Sequence, residues 1–126
     1  MRRKLFSDAF SDAYLLEHIP TYIGRIEEYS QKGRKAFLES QIVQDAVLRN
    51  LQILAESTQL LSDPVKQKYN GIPWREISVF RNVIAHRYLS LDLNIIWNVI
   101  EKDLPDLKKD IQEIFSSIDP ENDTTC

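Results

Sequence analysis

The chain has 126 residues, 43% of them apolar and 28% charged, with a formal net charge of −3. Such a length fits one domain that buries roughly two-thirds of its unfolded surface, and the slight acidity excludes a general basic coat for nucleic acid, so any polyanion site has to be a local patch. No apolar run approaches the roughly 20 residues of a membrane helix, and the lone cysteine, Cys126, excludes an intrachain disulfide, which fits a cytoplasmic protein with no membrane contact.

Met1-Arg2-Arg3-Lys4 is basic, but Asp8 and Asp12 follow closely, so no signal-peptide core is read there. Leu15, Ile19, Ile23 and Ile26 recur every three or four residues and predict a first helix from about Ser7 to Gln31, kinked but unbroken at Pro20. Lys32-Gly33 ends it, Arg34 to Glu39 forms a short helical turn, and Ser40 caps the next helix. That helix is expected from Gln41 to Leu61, with Val43, Val47, Leu51, Leu54 and Leu61 on one side and Leu48 and Ala55 widening the buried face. Ser62-Asp63-Pro64 reads as a stop and restart, and Asn70-Gly71 as left-handed residues closing the short piece that follows.

Pro73-Trp74-Arg75-Glu76 opens a third long helix carrying Ile77, Phe80 and Ile84. Asp92 caps a fourth with Leu93, Ile96, Trp97 and Ile100, and Asp103-Leu104-Pro105 repeats the cap-and-proline pattern before Leu107, Ile111, Ile114 and Ile118. No segment alternates as a strand. The fold class is therefore all-α: an up-and-down bundle of four to five main helices with short connecting helices. It is expected to occupy residues 1–119 as a single domain, with 120–126 a polar, disordered tail.

Arg81-Asn82-Val83-Ile84-Ala85-His86-Arg87-Tyr88 concentrates the chemistry. A guanidinium fork matches phosphate oxygens in pairs, and an imidazole moves protons near neutral pH. Together they suit RNA transesterification without a metal, in which the ribose 2′-hydroxyl attacks the adjacent phosphate. Asn82 can hold a phosphate oxygen and Arg87 the flanking backbone. In an unbroken helix Arg81 and Tyr88 share a face, whereas His86 points about 140° from Arg81. The three converge only if the helix loosens between Ala85 and Tyr88 or a second copy contributes. Val83, Ile84 and Ala85 read as a buried seam, with His86 near the helix end.

Spacing alone favours a plainer arrangement: Arg81 paired to a carboxylate, His86 hydrogen-bonded at a helix end and Tyr88 bonded to a carbonyl. One cysteine and two separated histidines give no zinc site, three scattered glycines give no phosphate loop, and no cofactor is expected. His18 reads as an ordinary surface or boundary histidine, and Trp74 and Trp97 as core or dimer contacts. Lys66, Lys68, Lys108 and Lys109 read as solvated, as do Glu27 and Glu28.

The wider string adds to this. Gly71-Ile72-Pro73-Trp74-Arg75-Glu76-Ile77 leads into Phe80-Arg81-Asn82, then His86-Arg87-Tyr88 and Asp92-Leu93-Asn94-Ile95-Ile96-Trp97, with Gln44-Asp45-Ala46-Val47-Leu48-Arg49-Asn50-Leu51-Gln52-Ile53-Leu54-Ala55-Glu56 upstream. From about Tyr14 to Ile114 the chain closely resembles the HepT family, toxins of the HEPN (higher eukaryotes and prokaryotes nucleotide-binding) superfamily. The family motif of arginine, four residues, histidine, one residue, tyrosine falls on Arg81, His86 and Tyr88. The resemblance implies a helical ribonuclease toxin acting as a homodimer on tRNA or other cellular RNA. It also implies an MntA-type nucleotidyltransferase antitoxin that transfers AMP to Tyr88. Ala55 and Ser90 stand where relatives are expected to carry glycine. Two other functions are compatible: a non-catalytic HEPN subunit that binds the nucleotidyltransferase, and a structural helical adaptor.

Overall fold

The computed structural model describes residues 11–118. Helix α1 spans Asp12–Ser30, α2 Arg34–Glu39, α3 Gln41–Gln59, α4 Asp63–Lys68, α5 Trp74–His86, α6 Leu93–Asn98 and α7 Leu104–Ile118. A 3₁₀ turn at Tyr88–Ser90 follows α5, and a π turn at Val99–Asp103 joins α6 to α7. The fold is all-α, as expected. α3 packs against α1 and α5, α1 also against α7, and α2 lies across α3 and α6.

The stripe in α1 is the core's first wall. Leu15, Leu16, Ile19, Ile23 and Ile26 are all buried, and the helix runs unbroken through Pro20. It starts later than the periodicity indicates. Ser11 is extended (φ −67°, ψ 161°) and its hydroxyl accepts from the Tyr14 amide, so the helix begins at Asp12 rather than Ser7. Residues 7–10, the basic start and the tail from Pro120 lie outside the described residues. The Asp12 carboxylate also accepts from the Ser62 amide (2.8 Å) and hydroxyl (2.6 Å), tying the first turn to the α3–α4 corner. At the other end Gly33 adopts φ +100°, ψ 179°, a backbone that side-chain-bearing residues rarely take.

Ser40, Ser62 and Asp92 cap α3, α4 and α6 with their side chains, as read from the sequence. α3 ends at Gln59, because Leu60 and Leu61 donate to the carbonyls of Ser57 and Thr58 in a tighter turn. Leu61 remains buried. α4 does not close through left-handed Asn70-Gly71, for no described non-glycine residue has positive φ and Gly71 does not either. Instead the Trp74 indole donates to the carbonyls of Lys66 (3.2 Å) and Tyr69 (3.1 Å), satisfying groups that a glycine cap would otherwise serve. Trp97 is buried, its ring centroid 5.6 Å from that of Phe37. Both tryptophans are packing residues.

Asp103 does not restart a helix. The rod continues through the π turn, where the Leu104 amide donates to the Val99 carbonyl. Pro105 has no amide to offer, and its ring crowds the carbonyl four residues back; a wider turn just ahead relieves both problems. Between the second half of α3, the start of α5 and this turn lies a groove of about 770 Å³. Leu51, Leu54, Phe80 and Leu107 give it an apolar lining, and Glu76, Asp103, Asp106 and Asp110, with Lys109 among them, line it with charge that is mostly negative. Burial, then the neighbouring charges of Asp106 and Glu113, push the Asp110 carboxyl above the usual carboxylate range. Among the surface charges, Lys108 pairs with Glu27 at 3.1 Å, both still 44% exposed, so the pair contributes little stability. Lys66 is not simply solvated: its ammonium donates to the Gln59 carbonyl at the end of α3.

Candidate active site

α5 presents the motif. Ile84 is the only one of its residues fully buried, with Ile77 and Phe80 packed beside it in part. The seam expected from Val83 to Ala85 is therefore a single residue wide; Val83 is 38% exposed and Ala85 is exposed. Periodicity marks an apolar stripe but not what covers it. Here the chain covers one side of α5 and leaves Val79 (52% exposed) and Val83 on the other, beside Ile95 of α6.

The helix ends inside the motif. His86 is the last residue of α5 and is exposed. The Arg87 amide donates to the Val83 carbonyl (2.8 Å), and the Arg87 carbonyl accepts from the Ser90 amide (3.0 Å), which turns the chain into the 3₁₀ segment. Tyr88 thus lies beyond the helix, and the shared face expected for Arg81 and Tyr88 does not arise. Arg81 and His86 remain on α5 and diverge by about 140°. Arg81 flanks the packed side with Ile77 and Ile84, whereas His86 continues the exposed line of Val79 and Val83.

Arg81 is partly buried, and its Nε lies out of solvent without a hydrogen-bond partner. Asn82, His86 and Arg87 are exposed. Among the described residues, no ion pair or hydrogen bond engages the side chains of Arg81, Asn82, His86 or Arg87. The plainer arrangement, with Arg81 on a carboxylate and His86 bonded at the helix end, is not the one found. Neither the groove described above nor a recess of about 310 Å³ between α5 and α6 includes Arg81, His86 or Tyr88. The motif occupies open surface, which suits a polymer better than a small molecule.

Tyr88 is the exception to this freedom. Its hydroxyl donates to Asp45 Oδ1 at 2.9 Å, across 43 residues of sequence, so the phenol meets a carboxylate rather than a carbonyl. Asp45 lies in the first half of α3 and carried no role in the sequence reading. No local signal marks it, because only the packing of α3 on α5 brings it to the motif. Burial first, then the hydrogen bond to Asp45 and its charge, raise the Tyr88 phenol above its ordinary value. A phenol whose folded value is raised contributes stability below about pH 10 that is lost as pH rises through the folded value. Ultraviolet difference titration against Tyr88→Phe should therefore place this phenol above the ordinary tyrosine value. Asp45→Asn should bring it part of the way down, leaving the share due to burial.

His18 is exposed; its Nδ1 donates to the Tyr14 carbonyl at 2.8 Å and its ring lies 4.1 Å from that of Tyr14. It stands apart from the motif, as expected of a surface histidine. Among the described residues no group of three or more His, Cys, Asp or Glu side chains is arranged to hold a metal ion. No described helix is long and apolar enough to cross a membrane.

The family described as "Ribonuclease HepT-like" matches residues 19–114, which include the whole motif. A Methanocaldococcus jannaschii protein named "Gamma-glutamylcyclotransferase and putative RNase" is 38% identical over 82% of this chain, which spans only 47% of that relative. A "Putative RNase" of Caldanaerobacter subterraneus is 32% identical, covering 81% of this chain and 88% of its own. A "Probable ribonuclease HepT" of Thermococcus cleftensis is 31% identical, covering 79% and 91%. No solved structure matches significantly. With the family match covering most of the chain, and the Caldanaerobacter and Thermococcus relatives aligned over about nine-tenths of their own lengths, the chain belongs to the HepT-like ribonuclease family.

Proposed function

We propose that the chain is a metal-independent endoribonuclease toxin, acting in the cytoplasm as a homodimer on tRNA or other cellular RNA. An MntA-type nucleotidyltransferase antitoxin silences it by AMPylation of Tyr88. The observation that carries the reading is that Arg81, His86 and Arg87, in the second half of α5 and its cap, have no ion-pair partner among the described residues, within a chain of this family. Cations with no internal partner are available to phosphates.

In the reaction, the ribose 2′-oxygen attacks phosphorus and the 5′-oxygen leaves, giving a 2′,3′-cyclic phosphate. His86 moves the proton, Arg81 stabilises charge gathering on the phosphoryl oxygens, and Asn82 and Arg87 hold the flanking strand. Arg81 and His86 diverge within one chain, so a complete centre draws them from two copies. The exposed stripe of Val79, Val83 and Ile95 offers the surface, since His86 lies on the same line and would be carried to the seam. Val83→Asp should then convert the dimer to monomer in sedimentation and abolish cleavage with the fold intact. An adenylate on Tyr88 adds a bulky anion beside the cations that bind RNA, and repels it.

Incubation of the purified protein with total tRNA in EDTA tests the core of the reading. The expected result is cleavage that leaves cyclic phosphate ends. Intact tRNA, from protein that mass measurement finds free of adenylate, would overturn it in favour of a non-catalytic subunit.

A further inference from the structure

We infer that Asp45 is the proton acceptor that makes the Tyr88 phenol a nucleophile for nucleotidyl transfer, a role that rests on Tyr88 being the residue modified. Three observations carry it. Tyr88 Oη already donates to Asp45 Oδ1 at 2.9 Å, so the proton lies on the line along which it would leave. The Asp45 carboxylate has no ion-pair partner among the described residues; its other contact is the Gln41 side-chain amide, at 3.5 Å to the same oxygen. Oδ2 is left unengaged and the charge unneutralised. Finally, Tyr88 is 37% exposed on a surface turn, so its oxygen can be approached by a nucleotide held on another protein.

The step balances without an oxidant or reductant. Tyr88 Oη attacks the α-phosphorus of a nucleoside triphosphate bound to the partner enzyme, and the Oη–P bond forms. The bond from that phosphorus to the oxygen bridging the β-phosphate breaks, and pyrophosphate departs with the electron pair. The phenolic proton passes to the Asp45 carboxylate and from there to water. A neutral phenol is a weak nucleophile, but its proton becomes strongly acidic as the oxygen bonds to phosphorus. A carboxylate then suffices as acceptor, as the catalytic-loop aspartate does for hydroxyl substrates in protein kinases. Here the acceptor sits on the protein being modified rather than on the enzyme. The finished ester has no proton to donate, so the bond to Asp45 ends, and the new phosphate charge is repelled from that carboxylate.

The test incubates the full chain with magnesium, ATP and an MntA-type nucleotidyltransferase, and follows mass gain on the Tyr88 peptide. Asp45→Asn keeps the oxygen that accepts the hydrogen bond and cannot take the proton; Asp45→Glu keeps both functions. The expected result is wild type labelled on Tyr88, Asp45→Asn slower by at least roughly 100-fold in maximal rate with little change in KM, and Asp45→Glu partly restored. Asp45→Asn labelled as fast as wild type would mark Asp45 as a mere anchor and overturn the assignment, leaving Tyr88 as the modified residue. No label on Tyr88 in wild type would overturn that reading and this one together.

Discussion

His86→Ala is expected to slow cleavage of tRNA by roughly 10² to 10⁴, the usual contribution of a positioned general acid or base. The side chain is exposed and bonded to nothing, so its loss should shift stability by no more than about 0.5 kcal/mol, and an unchanged melting curve should accompany the loss of rate. Arg81→Ala should lose a comparable factor, with Arg81→Lys recovering only part of it, because an ammonium lacks the planar fork. The divergence of the two side chains allows a sharper test. In a mixed dimer of Arg81→Ala and His86→Ala protomers, one of two shared centres regains both native groups if each draws arginine from one copy and histidine from the other. Cleavage should then return. Mixed dimers as inactive as either parent would place both groups of each centre in one chain. Wild-type rates in His86→Ala alone would remove the imidazole from the mechanism altogether.

Within α5 the largest effect on stability is expected at Ile84. It is fully buried, and no other side chain of α5 is. Ile84→Ala should cost about 2 to 5 kcal/mol by lost burial and the cavity left behind, against a total of about 5 to 15 kcal/mol for a domain of ordinary stability. Ile77 and Phe80 hold the first half of α5, so the loosening should concentrate in the half that carries the motif. Denaturant midpoints should fall, and amide exchange should rise most between residues 81 and 90. A loss below about 1 kcal/mol would mean that another contact fixes α5.

These two positions differ in how readily they can be read from sequence. Ile84 belongs to a stripe, and stripes were legible throughout: Leu15 to Ile26 and Val47 to Ala55 are core because their spacing is helical. Caps were legible too, since Ser40, Ser62 and Asp92 act on amides two or three residues away. What depends on distant partners was not. Asn70-Gly71 has the composition of a left-handed closure, yet the Trp74 indole reaches the carbonyls first. Val83 and Ala85 look like interior residues, but burial is decided by what packs opposite, and no described element covers them. The motif was visible because its members are adjacent; Asp45 was not, because it is a neighbour only after folding.

The acidic groove has a consequence for how a polyanion meets this protein. Glu76, Asp103, Asp106 and Asp110 outnumber Lys109 in the groove by the start of α5, whereas His86 and Arg87 lie at its end, about 15 Å beyond Glu76 along the helix axis. That separation exceeds a Debye length at physiological ionic strength, roughly 8 Å, so the two ends act as distinct poles rather than cancelling. On the reading proposed above, a protein of net charge −3 is expected still to draw in RNA, but from one direction, with encounters at the acidic pole turned away and those at the motif retained. Orientation is selected during approach, before any base is touched.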